Sequence, residues 1–146
     1  MNSKRIDIAT ALAFIVYASS VVITPLSLLK MSEELSFTLT GGGALEAGRA
    51  FLLLISLFIS GKAASYTGKS RAIGLGLILT AASLILAGFA QTYWGVMSML
   101  FVIGFGTGFA EALINPLVND AHPENPGKYL NIINAFFSLG VVFAVL

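Results

Sequence analysis

Glu111 stands inside the apolar stretch GFGTGFAEALINPLVND, residues 104–120. An acidic side chain at the centre of a membrane helix costs roughly 2.5–3.5 kcal/mol. Such a residue usually faces a cavity or marks the path of an ion or solute. A protonated carboxyl donates to a hydroxyl, and the carboxylate accepts from one. At about 100° per residue, Gly104, Gly108, Glu111 and Asn115 fall within an arc of about 60°. The acid therefore shares a stripe with an amide and with two glycines spaced for close helix contact. It lies about seven residues, roughly 10 Å, from the end of the apolar run, too deep for its short stem to reach water. Pro116 follows, frees a carbonyl one turn earlier and can bend the helix. Glu111 and Asn115 are candidate solute- or proton-binding residues.

Two more polar stripes accompany this one. Gly42, Glu46, Arg49, Ser56 and Ser60 share a helical face. Glu46 and Arg49 are three apart and can pair. Their place near the start of an apolar run predicts an interfacial ion pair in the outer turns, or a gate or solute contact. Asn131, Asn134 and Ser138 form the other stripe, and Asn134, the deeper amide, joins the candidate site. The first apolar run offers Tyr17, Ser19, Ser20 and Thr24, with Pro25 as a kink, and no acid. His122 falls in the polar stretch NDAHPENPGK and reads as a solvated loop histidine. One histidine and no cysteine give no metal site. GxxxxGK[ST], HExxH and GxSxG are absent, so the reading is not an enzyme and implies no cofactor.

The elements that carry these residues follow from composition. The 146 residues are 57% hydrophobic and 10% charged, against about 25% charged in a soluble domain. Polar side chains cannot cover this surface, so the solvent is a lipid bilayer. A net charge of +1 gives no basic footprint for nucleic acid. A spanning helix needs about 20 apolar residues. Five runs qualify or nearly so: 8–29, 44–64, 72–93, 95–118 and 129–146. The first is longer than the apolar part of a signal peptide, and no A-x-A site follows. The prediction is an all-α, polytopic transmembrane bundle. The fifth run ends with the chain and reads as part of an incomplete bundle. If the spans alternate, Lys4, Arg5, Lys62, Lys69, Arg71 and Lys128 share one side, against Lys30 on the other. This bias predicts a cytoplasmic N-terminus in a multi-pass protein of the cell (inner) membrane, with Tyr93 and Trp94 at the outer interface.

The stretch GKAASYTGKSR after the second run, with Gly61, Gly68, Lys69 and Arg71, resembles the signature loop of the major facilitator superfamily. Ser65 stands where that family usually has an acid. EALINP and KYLNIINAFFSLG resemble the fucose–galactose–glucose–proton symporter family within it. The resemblance spans about 8–146, and its specific part is 104–140. It implies twelve helices in two six-helix halves, of which this chain is an incomplete N-terminal half. It implies that Glu111 lines a central sugar cavity and takes up a proton, and that Asn134 matches a cavity amide. The family's Asn-Asp acid site in the first helix is absent here.

The expected function is therefore secondary transport, with sugar uptake coupled to protons as the leading reading and sodium as the other coupling ion. The C-terminal half of the same transporter is the expected partner. A carrier for another solute, and a non-transporting membrane scaffold, are the rival readings.

Overall fold

Thr38 and Thr92 decide where the second and fourth helices begin. Each is extended, and each side-chain oxygen accepts from the amide three residues on, Gly41 at 3.2 Å and Gly95 at 3.1 Å. These are N-caps, which satisfy a backbone donor left free at a helix start. A computed structural model describes residues 3–146 as five helices. They are α1 (Ser3–Glu34), α2 (Leu39–Thr67), α3 (Lys69–Ala87), α4 (Tyr93–Ala121) and α5 (Pro126–Val145). All five are long and apolar enough to cross a membrane.

The helices differ from the apolar runs at their ends. The Thr38 cap starts α2 at Leu39, earlier than the run at 44. Helix α3 stops at Ala87, so Tyr93 and Trp94 open α4 instead of closing the third span. Hydropathy marks where lipid lies, whereas caps mark where the backbone stops being helical. At about 1.5 Å per residue, the longer helices exceed a hydrocarbon core of about 30 Å and project beyond it.

Contacts between helix ends define two faces. The start of α1 meets the end of α4 and the start of α5, through Asp7, His122 and Tyr129. The start of α3 meets the end of α4, where Lys69 pairs with Asp120. We call this the N-terminal face. At the opposite face the Tyr93 hydroxyl donates to the Gly41 carbonyl at 3.1 Å, joining the starts of α4 and α2.

Helix α4 lies at the centre, against α1, α2 and α3. In lipid the packing force between helices is van der Waals contact and hydrogen bonding, which small residues permit by letting backbones approach. Gly104 sits on the backbone of Arg49, and Gly108 on Leu53 and Ser56. On the other side of α4, a β-carbon at Gly106 would meet the Gly76 carbonyl at 2.5 Å. The main core joins Phe14 and Tyr17 of α1, Ile73 of α3, Leu113 and Ile114 of α4, and Ile133 of α5. A second cluster of Leu45, Val96, Leu100 and Ile103 binds α2 to α4. Leu12, Phe58, Ile78 and Phe143 point outward, as side chains facing lipid do.

His122 is not a solvated loop residue. It caps α4, is 4% exposed, stacks on Tyr129 and lies 2.7 Å from Asp7 Oδ1. The sequence reading failed because all of its covering partners come from other helices.

Candidate solute site

Tyr17 is buried in α1, two turns before Pro25. Its ring is wedged beside Phe14 of its own helix, at 6.2 Å between centroids, and Phe137 of α5, at 5.6 Å. Phe14 and Phe137 meet edge to face at 6.1 Å, which closes the aromatic triangle. Aromatic pairs favour such offset and edge-on geometries. The triangle fixes the direction of the Tyr17 hydroxyl, which donates to Glu111 Oε2 at 2.7 Å. One hydrogen bond thus crosses from α1 to α4.

Glu111 itself remains exposed beside that bond. It is ten residues from the end of α4 at Ala121, about 15 Å along the axis. The carboxylate is therefore held deep in the bundle by one neighbour and left open on another side. The glycines of its stripe do the packing: Gly104 and Gly108 press on α2, and Glu111 continues past them.

Asn115 lies one turn beyond Glu111 towards the N-terminal face. Its Oδ1 is buried and lacks a hydrogen-bond partner. A buried amide oxygen without a partner costs free energy, and such atoms point to strain, function or an unseen ligand. Asn134 is exposed on α5. It sits one turn nearer the N-terminal face than Phe137, which packs on Tyr17. No hydrogen bond among the described residues brings Asn134 to Glu111 or Asn115. The aromatic triangle is what connects α5 to the acid.

Glu46 and Arg49 do pair, through Nε and Nη2 of Arg49 on Glu46 Oε2, both at 2.8 Å. Arg49 is ten residues into α2, about 15 Å from its start, and only 9% exposed. Arg49 Nη1 and Glu46 Oε1 are both buried without partners. The deep polar groups thus form two pairs, Glu46 with Arg49 on α2 and Tyr17 of α1 with Glu111 of α4.

The loop signature takes a definite shape. Gly61 lies within α2, and Gly68 alone links α2 to α3, with φ of 86°. Lys69 opens α3, pairs with Asp120 and reaches the Pro116 carbonyl at 3.5 Å. Arg71 is exposed. Ser65 turns its hydroxyl back to the Lys62 carbonyl. The acid that meets this loop's lysine therefore comes from α4.

Tyr17 is the site residue that sequence reasoning missed. It was visible as a polar residue of the first run, but its partner lies 94 residues away. No periodicity within one helix reports such a contact.

No curated protein and no solved structure matches the chain. The family model of the Major Facilitator Superfamily matches residues 9–146, which takes in most of α1, the other four helices and every candidate site residue. Members of this family are transporters and not enzymes, and the five apolar helices agree with a membrane protein of that kind. The chain belongs to the major facilitator superfamily of secondary transporters.

Proposed function

We propose that this chain forms one wall of the solute pathway in a sugar–proton symporter. Glu111 takes up the proton, and Asn115 and Asn134 meet sugar hydroxyls. The observation that carries the reading is the Tyr17 hydroxyl on Glu111 Oε2 at 2.7 Å, beside an open face. Sugar hydroxyls both donate and accept, so a sugar can replace or extend that bond. A protonated Glu111 donates to the solute and an ionised one accepts, which couples proton to solute at one carboxyl. The similarity of EALINP and KYLNIINAFFSLG to the fucose–galactose–glucose–proton symporters supports the same assignment.

The remaining wall comes from the C-terminal half of the same transporter, and the two halves rock about the site. The excess of Lys and Arg on the N-terminal face supports a cytoplasmic N-terminus in the cell (inner) membrane. A neutral solute is favoured because Glu46 meets the charge of Arg49. The unpartnered Arg49 Nη1 favours an anionic solute as the second reading.

The test is uptake by the full-length protein carrying Glu111→Gln. We expect sugar exchange across the membrane to survive and uphill, pH-dependent uptake to be lost. Uphill uptake equal to wild type removes the proton role. Repeating the measurement with a sodium gradient alone separates the two coupling ions. Competition by a panel of sugars and organic anions separates the two solute classes.

A further inference from the structure

His122 is the only histidine in the chain, and nothing in the solute site uses it. It is 4% exposed, at the point where three helix ends meet. Its Nε2 lies 2.7 Å from Asp7 Oδ1 of α1. Its Nδ1 lies 3.7 Å from Glu124 Oε1 of the loop that follows α4. Its ring stacks on Tyr129 of α5, with centroids 3.4 Å apart and planes 6° from parallel. The backbone of His122 closes α4 by donating to the carbonyls of Val118 and Asn119.

This arrangement treats the two charge states of the ring differently. A neutral imidazole has one N–H, so it donates to one carboxylate and turns a lone pair towards the other. An imidazolium makes the bond to Asp7 a charge-assisted one, roughly twice as strong as a neutral one, and attracts the Glu124 carboxylate across 3.7 Å as an ion pair. A cation over the Tyr129 face adds attraction to the ring's electron density. Protonation therefore tightens contacts to α1, to the loop and to α5 together. Imidazole is the side chain whose ordinary titration lies in the physiological range.

The other charges around the ring belong to every element packed there. Helix α1 brings Asp7, with Lys4 one turn before it. Helix α4 brings Asp120, which is engaged by Lys69 of α3. Helix α5 brings Lys128, whose Nζ lies 5.8 Å from the centre of the Tyr129 ring. Glu124 is the acid that the ring leaves most exposed, with its side chain 69% accessible.

We propose that His122 is a proton-operated latch that fastens the ends of α1, α4 and α5 on the N-terminal face. The latch is tight when the ring is charged and loose when it is neutral. Helix α5 otherwise rests mainly on α1, through Phe137 and through Ser19, whose hydroxyl donates to the Gly140 carbonyl. Opening the latch frees the start of α5 from the end of α4. Acid on this face then slows the helix movement that transport requires. The inference rests on the transporter fold and not on the identity of the solute.

The test is hydrogen exchange in the full-length transporter held in lipid nanodiscs. The amides of residues 119–130 are followed at about pH 5.5 and about pH 8, each rate corrected for the intrinsic effect of pH. We expect wild-type opening to be about tenfold rarer at the acid pH. Glu124→Gln, at an exposed loop position, reduces that response to about threefold. Asp7→Asn reduces it at least as far, and His122→Gln abolishes it. Equal protection at the two pH values in wild type overturns the latch. So does a full response that persists in His122→Gln. Should that variant fail to fold, a full response in both Asp7→Asn and Glu124→Gln overturns it instead.

Discussion

The Tyr17 hydroxyl and the Glu111 carboxylate meet at 2.7 Å across the boundary between α1 and α4. The relationship joins two helices that share no polar side-chain bond elsewhere near the middle of the bundle, among the described residues. It also divides labour. The aromatic triangle of Phe14, Tyr17 and Phe137 sets the direction of the donor. The other side of Glu111 stays exposed, and the proposed exchange with solute or proton takes place there.

Tyr17→Phe tests that division. The ring and its packing stay, and only the hydroxyl goes. Interhelical hydrogen bonds in membranes average about 0.6 kcal/mol, with model peptides at about 1–2. The expected loss of stability is therefore about 1 kcal/mol, read from unfolding in detergent. Uptake should fall further, roughly tenfold, because Glu111 loses the partner that orients it. A variant as active as wild type would show that Tyr17 only packs.

The Glu46–Arg49 pair predicts a non-additive double mutant. Removing one partner of a buried pair leaves the other charge uncompensated, at about 3–5 kcal/mol. Glu46 keeps 23% of its side chain exposed, so Arg49→Gln should cost near the low end, about 3 kcal/mol. Glu46→Gln combined with Arg49→Gln should recover most of that loss, since no charge is then stranded. Folded yield and detergent unfolding midpoints measure both. Equal losses in the single and double variants would mean that the pair carries no coupling.

Local pattern made some of this architecture legible in the sequence and non-local contact hid the rest. Five spans follow from hydropathy, because lipid imposes its demand on every residue of a helix in turn. Gly104 and Gly108 were readable as a packing face, because their spacing repeats with the helix. The burial of Arg49 was not readable, because it depends on the approach of Gly104 from α4 and not on where the apolar run begins. Tyr17 and His122 were the least visible. Their partners lie 94 and 115 residues away in sequence. A chain read one helix at a time shows which side chains are expensive to bury, but not which of them meet.

Gly104→Val tests the α2–α4 contact. A β-carbon at Gly104 runs into the Arg49 backbone carbonyl, and backbone cannot swing aside as a side chain can. Overpacking a tight contact costs about 1–3 kcal/mol. The variant should lose stability at the upper end of that range and displace Arg49 from Glu46. Gly43→Ala is the control, since nothing lies within 4 Å of a β-carbon there. Comparable unfolding midpoints for the two variants would show that α2 and α4 can separate without cost.

Gly61 and Gly68 belong to one loop signature but should respond oppositely to alanine. Neither has an atom within 4 Å of an added β-carbon, so sterics with neighbours cannot distinguish them. Their backbones do. Gly61 is inside α2, where alanine lowers the entropy of the unfolded chain and favours helix. Gly61→Ala should be neutral or stabilising by up to about 1 kcal/mol. Gly68 has φ of 86° and ψ of 146°, close to a region that is essentially reserved for glycine. Gly68→Ala should cost about 1–3 kcal/mol. The strain falls on the residue next to Lys69, so the Lys69–Asp120 pair should weaken as well. Asparagine should not rescue position 68, because its preference is for the left-handed helical region, where ψ is much smaller. Unfolding midpoints of Gly61→Ala, Gly68→Ala and Gly68→Asn in detergent decide the matter. Equal midpoints across the three would show that the single-residue link between α2 and α3 has no conformational demand of its own.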